Sequence, residues 1–308
     1  MNKKLVVSVS PHIKSKEDVS SIMWLVVLAL LPAMIGGIIF FKVHALLIIL
    51  LSTLTAVLTE YIIQKLTKKE ITIKDGSAAV TGVLLALVIP PSVPLWVPIA
   101  GSFFAVAIAK HAFGGLGFNI FNPALAGRAF LTASWPLLMA TWLLPDGTTG
   151  ATPLGVLKFE GIKAVSYGNL FLGNIGGSLG ETSALAILLG AAFLLYKKII
   201  DWRIPAAYLG TVALLMILLR QDPTFHLLAG GLMLGAFFMA TDYVTTPITE
   251  KGRLVFGVGC GLLTVLIRGF GGLPGGVALS ILLMNSLTPL IDRYTKTRPF
   301  GFVRKNGK

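Results

Sequence analysis

Long stretches without charged residues are the feature of this sequence that most limits its fold. The first, Ile22–Phe41, is apolar and uncharged over its whole length, and comparable runs follow. A helix needs about 20 apolar residues to cross a hydrocarbon core of roughly 30 Å, and only helices and closed barrels satisfy every backbone group there. Only 13% of the residues are charged, against about 25% in soluble domains. The sequence therefore predicts an all-α polytopic membrane protein.

Ten apolar runs are candidates for transmembrane helices, and some of them are short or interrupted. They are Ile22–Phe41, His44–Gln64, Ser77–Ile89, Leu95–Ala109, Asn122–Leu144, Thr182–Tyr196, Ile204–Leu219, His226–Ala240, Leu254–Ile267 and Gly275–Ile291. Ten crossings place both termini on one side, and the segments on that side carry roughly four times as many Lys and Arg residues as the others. We therefore expect cytoplasmic N- and C-termini in the cell membrane.

A weak internal repeat divides the runs into two groups of five. One ungapped register places Pro247 on Pro90 and Phe270–Leu273 on Phe113–Leu116. Five crossings per group is an odd number, so the two repeats would be inverted, and sites often form between interrupted helices of such repeats. The predicted organisation is a cytoplasmic segment 1–21, a first five-helix repeat 22–144, an extracytoplasmic loop 145–181, a second repeat 182–291 and a basic cytoplasmic tail 292–308.

The positive charge of the chain fits this topology. With 26 Lys and Arg against 13 Asp and Glu the formal net charge is +13, while 55% of the residues are hydrophobic. The surplus is concentrated in the cytoplasmic segments, where it orients the helices and can meet anionic lipid. We therefore expect the lipid bilayer as a partner and no nucleic acid. With Cys260 as the sole cysteine, this chain alone builds no disulfide or Cys-ligated cluster.

The loop between the fifth and sixth runs contains a threonine open to modification. Its beginning reads Asp146-Gly147-Thr148-Thr149-Gly150-Ala151-Thr152-Pro153-Leu154. No bulky residue precedes Thr152, and Pro153 biases it towards an extended conformation that holds its hydroxyl outward. An ordinary turn-rich loop is the alternative interpretation.

A few charged residues lie in or beside the apolar runs. Arg128 is inside the fifth run, where a charge is costly and indicates function; it would pair with a phosphate or a reduced flavin, or reach for the interface. Asp242 borders an interrupted segment and would bind a cation such as Na⁺ or cap a helix. For Asp75 we expect helix capping, and for Glu60, near the inner end of its run, an interfacial carboxylate.

Several motifs together resemble one family across nearly the whole chain. The motif Asp146-Gly147-x-Thr149-Gly150-Ala151-Thr152-x-Leu154 is similar to the flavinylation motif of the RnfD/NqrB family. Further similar segments, in order, are Ser10–Ile13 with Leu30–Ala33, Asp75–Gly82 through Pro90-Pro91, Asn119-x-x-Asn122-Pro123-Ala124 and Ala240–Pro247. Tyr243 stands where proline is usual and Thr149 where serine is commoner; neither removes the acceptor hydroxyl.

The resemblance implies a function that composition alone does not. It implies FMN attached to Thr152 through a phosphodiester, with Asp146, Thr149, Gly150 and Ala151 as motif residues for a flavin transferase. A second, non-covalent flavin (riboflavin) is also implied. NAD⁺ and ferredoxin would be handled by other Rnf subunits.

The short N-terminus resembles the D subunit of the Rnf ferredoxin:NAD⁺ oxidoreductase complex, a translocase that couples electron transfer to Na⁺ or H⁺ movement. The alternatives are the B subunit of a Na⁺-translocating NADH:quinone reductase and a secondary transporter with inverted repeats.

Overall fold

The structure is a computed structural model, and it describes residues 18–272 and 274–296. The Ser10–Ile13 motif, nearly all of the N-terminal segment, Leu273 of the second repeat motif and most of the basic tail lie outside the described residues.

Helices make up nearly all of the regular structure in the described part of the chain. In order they are α1 Val19–Leu66, α2 Ser77–Leu87, α3 Trp96–Phe104, α4 Pro123–Ser134, α5 Pro136–Ala140, α6 Pro153–Glu160, α7 Tyr167–Leu172, α8 Ala184–Tyr196, α9 Arg203–Leu218, α10 Pro223–Leu228, α11 Leu232–Leu234, α12 Glu250–Phe270 and α13 Val277–Thr295. The π-helical segments Ala105–His111 and Gly235–Met239 extend α3 and α11. A 3₁₀ turn, Ile73–Asp75, precedes α2. This composition confirms the all-α class.

The two short strands form a hairpin directly before α6. Strand β1 is Trp142–Leu143 and β2 is Thr149–Gly150, and they pair antiparallel with Trp142 opposite Gly150 and Leu143 opposite Thr149.

The first two apolar runs together form helix α1, which is continuous except for a break at Lys42. There φ is 57° and ψ is −145°, which is not helical. The break falls between the predicted runs Ile22–Phe41 and His44–Gln64, so the sequence located it correctly.

Two of the predicted runs are not single helices. The first helix in the run Asn122–Leu144 ends at Ser134. It ends there because Trp135 precedes Pro136 and takes a non-helical conformation with φ −135° and ψ 66°. The remainder of the run is α5 and strand β1. The prediction of one continuous helix there is wrong.

The run His226–Ala240 is interrupted in the same way. Helix α10 ends at Leu228, Ala229 is extended and Gly230 has φ 72°. The chain resumes as α11 and its π-helical extension, so two short helices replace the single predicted one.

Length and composition mark two described helices as able to cross a membrane. They are α1 and α12; the apolar helices Ser77–Leu87, Trp96–His111, Ala184–Tyr196 and Arg203–Leu218 are shorter. Ten spans in inverted repeats remain a prediction.

Helix α2 lies at the centre of the helices that precede the long loop 145–181, and it packs against α1. Gly82 permits this approach, because a Cβ there would lie 2.6 Å from Thr53 Cα. The last carbonyls of a helix need partners outside it. The backbone N–H of Gly180 donates to Leu87 O (2.8 Å) and that of Leu179 to Ile89 O (3.2 Å). A buried stretch of the long loop thereby completes the end of α2.

Candidate functional site

Thr152 is the N-cap of helix α6. Its φ of −67° and ψ of 156° are extended, which confirms the conformation expected before Pro153. Its Oγ1 accepts a hydrogen bond from the Gly155 backbone N–H at 3.1 Å. The side chain is half-buried, and Ala151 before it is exposed. The hydroxyl therefore lies at the positive end of an eight-residue helix.

Asp146 shapes the turn of the hairpin. Its Oδ1 accepts from the Thr148 backbone N–H (2.9 Å) and the Thr148 hydroxyl (2.7 Å). The backbone bond, followed by the hydroxyl bond, lowers the pKa of the Asp146 carboxyl. Gly147 takes φ 87°, a conformation that favours glycine. Of the remaining motif residues, Thr149 and Gly150 form β2, and Ala151 links it to Thr152.

Helix α6 is attached to the rest of the molecule by an apolar contact. Leu154 is buried with Leu170, Ile175, Phe225 and Ala229 in a cluster separate from the main core. This cluster joins α6 and α7 of the long loop to α10, so the position of Thr152 depends on second-half helices.

A lysine makes a second attachment of α6. Lys158 Nζ donates to the carbonyls of Arg268 (2.8 Å), Ile267 (3.4 Å) and Gly271 at the end of α12. A cation at the C-terminus of a helix binds its free carbonyls and is favoured by the helix dipole. The helix carrying Thr152 is thereby fixed against α12.

An ion pair fixes the later part of the loop. Lys163 Nζ lies 2.7 Å from Asp222 Oδ2, and the Tyr167 hydroxyl donates to the same oxygen. Asp222 also caps α10. The hydrogen bond from Lys163, followed by the one from Tyr167, holds the pKa of Asp222 well below its ordinary value. The Lys163–Asp222 bond in turn raises the pKa of Lys163.

Arg128 on α4 has a carboxylate partner that the sequence analysis missed. Its Nη1 lies 2.9 Å from Glu181 Oε1, with side-chain exposures of 22% and 9%. Glu181 belongs to the buried stretch of the long loop beside the end of α2. Glu181 is the one carboxylate in a stretch of mostly glycine, serine and threonine directly before an apolar run, which was the available signal.

The expectation for Glu60 as an interfacial carboxylate is wrong. Its side chain is 1% exposed and pairs with Lys110, also 1% exposed, at 2.9 Å. Ser77 Oγ accepts from Lys110 at 2.7 Å, and His111 Nε2 lies 3.4 Å from Glu60 Oε1. Packing of the π-helical segment after α3 against α1 brings these groups together, which residue spacing does not reveal.

Asp75 binds the first N–H of α2 as expected, from the position before the N-cap Gly76. Its Oδ1 accepts from the Ser77 backbone N–H (2.8 Å) and the Ser77 hydroxyl (2.7 Å). Ser77 therefore connects this cap to the buried Glu60–Lys110 pair.

Asp242 borders a cavity between the two halves, here called the central cavity. Its lining includes Ile22, Ser77, Lys110, Asn122, Phe238 and Asp242. Asp242 Oδ2 accepts from the Thr245 hydroxyl at 3.1 Å. Among the described residues no group of three or more His, Cys, Asp or Glu side chains could hold a metal ion. The sodium site at Asp242 stays a prediction.

The surroundings of Thr152 are compatible with a phosphate ester. A Cβ at position 155 would lie 3.2 Å from Thr152 Oγ1, so Gly155 keeps the space beside the hydroxyl clear. Helix N-termini favour phosphate groups through their free N–H donors and dipole. The residues present therefore fit the group that the motif implies.

Comparison with known proteins identifies the family. Residues 6–301 match the model of the NQR2, RnfD, RnfE family. The chain is 51% identical to the D subunit of the Na(+)-translocating ferredoxin:NAD(+) oxidoreductase complex of Acetobacterium woodii, with 97% of this chain and 96% of that protein covered.

It is 49% identical to the D subunit of the proton-translocating ferredoxin:NAD(+) oxidoreductase complex of Clostridium ljungdahlii, with the same coverage. To the D subunit of the ion-translocating oxidoreductase complex of Stutzerimonas stutzeri it is 42% identical, with 93% of each chain covered. These matches confirm the resemblance seen in the motifs. The chain belongs to the NQR2, RnfD, RnfE family.

Proposed function

We propose that this chain is the D subunit of a Rnf-type complex in the membrane. In that complex it carries electrons through FMN bound covalently to Thr152 and helps couple ferredoxin:NAD⁺ electron transfer to ion movement. The names of the relatives support the complex. Its other Rnf subunits supply the sites for ferredoxin and NAD⁺, and the chain has no complete activity alone.

The position of Thr152 is the observation that carries the proposal. A threonine hydroxyl on a connecting loop is held at the N-terminus of α6, next to a glycine that leaves space for an ester. The bound FMN would supply the redox chemistry, whereas the protein supplies position and electrostatics. The Gly155 N–H and the α6 dipole would hold the phosphate, and the Leu154 and Lys158 contacts would fix its distance from the membrane helices.

The proposed topology has ten crossings in two inverted five-helix repeats, with cytoplasmic termini. It places the loop 145–181 on the extracytoplasmic face, where a flavin transferase can reach Thr152. The charge distribution supports this orientation. The Asp146 turn would present the motif to the transferase.

Substitution of Thr152 tests the attachment. The full chain would be produced in a host that has the transferase, and its denatured band examined for flavin fluorescence and for an FMN-sized mass on the Thr152 peptide. We expect Thr152→Ala to lose both signals and Thr152→Ser to retain flavin, because serine keeps the acceptor hydroxyl.

A neighbouring threonine provides the matched control. Thr148 lies in the hairpin turn at a variable position of the motif. Its backbone N–H still donates to Asp146 after substitution, so Thr148→Val should keep the flavin. Unmodified Thr152 in the wild-type chain from a competent host would refute the attachment.

For the second, non-covalent flavin we propose the central cavity. It lies between the two halves and offers apolar walls such as Phe238 with a few polar groups, among them Asn122. Its volume is about 80 Å³, so entry of a flavin would require the lining side chains to move apart. In the Thr152→Ala chain, any flavin that denaturation releases is non-covalent. When Phe238→Trp is added to this chain to fill the cavity, the amount of riboflavin released should fall. Unchanged release would exclude this location.

The relatives differ in the ion that they are named for. One relative is named for Na⁺ and another for protons, and the chain is similarly identical to both. We propose Asp242 as a Na⁺ ligand. Sodium-dependent turnover of the complex should weaken in Asp242→Ala, and an unchanged dependence on sodium would exclude this role.

A further inference from the structure

A second cavity adjoins the motif hairpin and is here called the hairpin cavity. It lies between the hairpin, the break in α1 and the segment after α2, and its volume is about 240 Å³. Its lining includes Phe40, Phe41, Lys42, His44, Leu143 and Leu144. Pro145, Asp146 and Gly147 of the hairpin turn line it as well.

The walls of the hairpin cavity are held by contacts independent of the hairpin turn. A ring nitrogen of His44 lies 3.0 Å from Val93 O, which joins the second part of α1 to the segment after α2. The Ser92 hydroxyl donates to Thr141 O directly before β1. Lys42 takes a left-handed φ of 57° in the break of α1. The cavity is therefore a built feature of the fold.

Thr152 lies within reach of this cavity. Gly150 packs against Leu144, since a Cβ on Gly150 would lie 2.9 Å from Leu144 Cδ1, and Leu144 lines the cavity. Thr152 follows Gly150 by two residues, which span at most about 7 Å of chain. The ribityl phosphate chain of FMN is long and flexible, so a ring attached to Thr152 can span this separation.

The chemistry of the lining matches a flavin ring. Phe40, Phe41 and Leu144 offer apolar and aromatic surface for the faces of a planar ring system. Lys42 offers a cation for its polar edge, which gains negative charge on reduction, whereas a ring nitrogen of His44 is held by Val93 O. Among the described residues, no carboxylate forms an ion pair with Lys42.

We infer that the hairpin cavity is the docking site of the isoalloxazine ring of the flavin carried on Thr152. This inference rests on the proposed attachment and adds the residues that bind the ring. In this site Phe41 covers one face and Lys42 stabilises the reduced form. The break in α1 thereby gains a function, because it directs Lys42 towards the flavin edge.

Two variants of the full flavinylated chain test the inference. Signals from the Thr152→Ala chain are subtracted, so that any non-covalent flavin does not contribute. In Phe41→Ala we expect several-fold stronger quenching of the flavin fluorescence by iodide and lower fluorescence anisotropy. In Lys42→Gln we expect a midpoint potential shifted to more negative values, because a cation beside the reduced ring is lost.

Matched controls lie outside the hairpin cavity. Phe159→Ala removes an exposed aromatic ring from α6 itself, and Arg220→Gln removes an exposed cation elsewhere. Both should leave quenching, anisotropy and potential as in the wild type. Should Phe41→Ala fail to fold, the exposed Lys42 still provides a variant with a measurable potential.

The outcomes separate the inference from the proposed attachment. If the wild-type chain carries no flavin on Thr152, the attachment itself fails. If flavin is present in full amount and both variants keep wild-type quenching, anisotropy and potential, the ring binds elsewhere and the inference is overturned. Release of co-purifying phospholipid by the variants, with unchanged flavin signals, would identify the cavity as a lipid headgroup site and also overturn it.

Discussion

Lys110 donates to both carboxylate oxygens of Glu60, at 3.0 Å to Oε1 and 2.9 Å to Oε2, with both side chains 1% exposed. Gln64 donates to the same carboxylate at 3.2 Å. Two opposite charges buried together avoid the cost of an isolated charge, but each then depends on the other. The pair lies at the π-helical end of α3, and such local widening of a helix often occurs at functional sites.

Removing one member of this pair should destabilise the protein strongly. We expect Glu60→Gln or Lys110→Met to cost about 3–5 kcal/mol, because either leaves a buried charge without its partner. The measurement is thermal or denaturant unfolding of the purified chain in detergent. The double variant should recover part of the loss, and Lys197→Met, at an exposed position, is the control. Equal stability of the single variants and the wild type would contradict the burial of the pair.

The Arg128–Glu181 contact predicts a smaller effect. The Arg128 side chain is partly exposed and that of Glu181 nearly buried, and a hydrogen bond to a charged group contributes about 1.5–3 kcal/mol. We expect Glu181→Gln to lower stability within that range. Flavin content separates a structural role from a cofactor role: if Arg128 binds the cofactor, Arg128→Gln lowers flavin content or shifts its potential while Glu181→Gln does not. Equal flavin properties in the two variants would leave Arg128 a structural residue.

The Asp222–Lys163 pair predicts that residues 161–172 of the long loop become less stable at low pH. The folded-state pKa of Asp222 is lowered, so its stabilising contribution is complete above the ordinary value of about 3.9. That contribution is lost as the pH falls from there through the folded-state pKa. Hydrogen exchange of residues 161–172, corrected for intrinsic rates, should accelerate below about pH 4. In Asp222→Asn the exchange should already be fast at neutral pH. Constant protection of this segment across the acid range in the wild-type chain would argue against the prediction.

Gly82 predicts a packing effect that can be tested with one methyl group. A Cβ at this position would lie 2.6 Å from Thr53 Cα and 2.9 Å from Ser52 O, both backbone atoms of α1. Overpacking of this kind costs about 1–3 kcal/mol, so Gly82→Ala should lower the unfolding temperature.

Gly210 provides the control for this substitution. It lies in α9 with open space around its would-be Cβ, so Gly210→Ala should be neutral or stabilising by about 0.4–1 kcal/mol. Similar effects of the two substitutions would indicate that helix propensity, not the α1–α2 approach, determines the result.

Local chemistry made several features predictable. Pro153 fixes the extended backbone of Thr152, and Asp75 binds the first N–H of α2 because a carboxylate two residues before a helix reaches it directly. The break at Lys42 falls between two apolar runs that the sequence separates. Each of these depends on neighbours within a few residues. Prediction failed at Trp135 and Ala229, where apolar residues continue through a break in the backbone. Hydrophobicity alone does not reveal where the backbone changes direction.

The sequence by itself determined that the chain is helical and apolar. It also determined that Thr152 belongs to the motif Asp146–Leu154 and to which family the chain is similar. Only the tertiary structure decided which groups meet. Glu60 with Lys110, Arg128 with Glu181, and the hairpin with the break in α1 are each far apart along the chain. The physical reason is that periodicity and composition describe one segment at a time, whereas a buried charge or a cavity is defined by what another segment places against it.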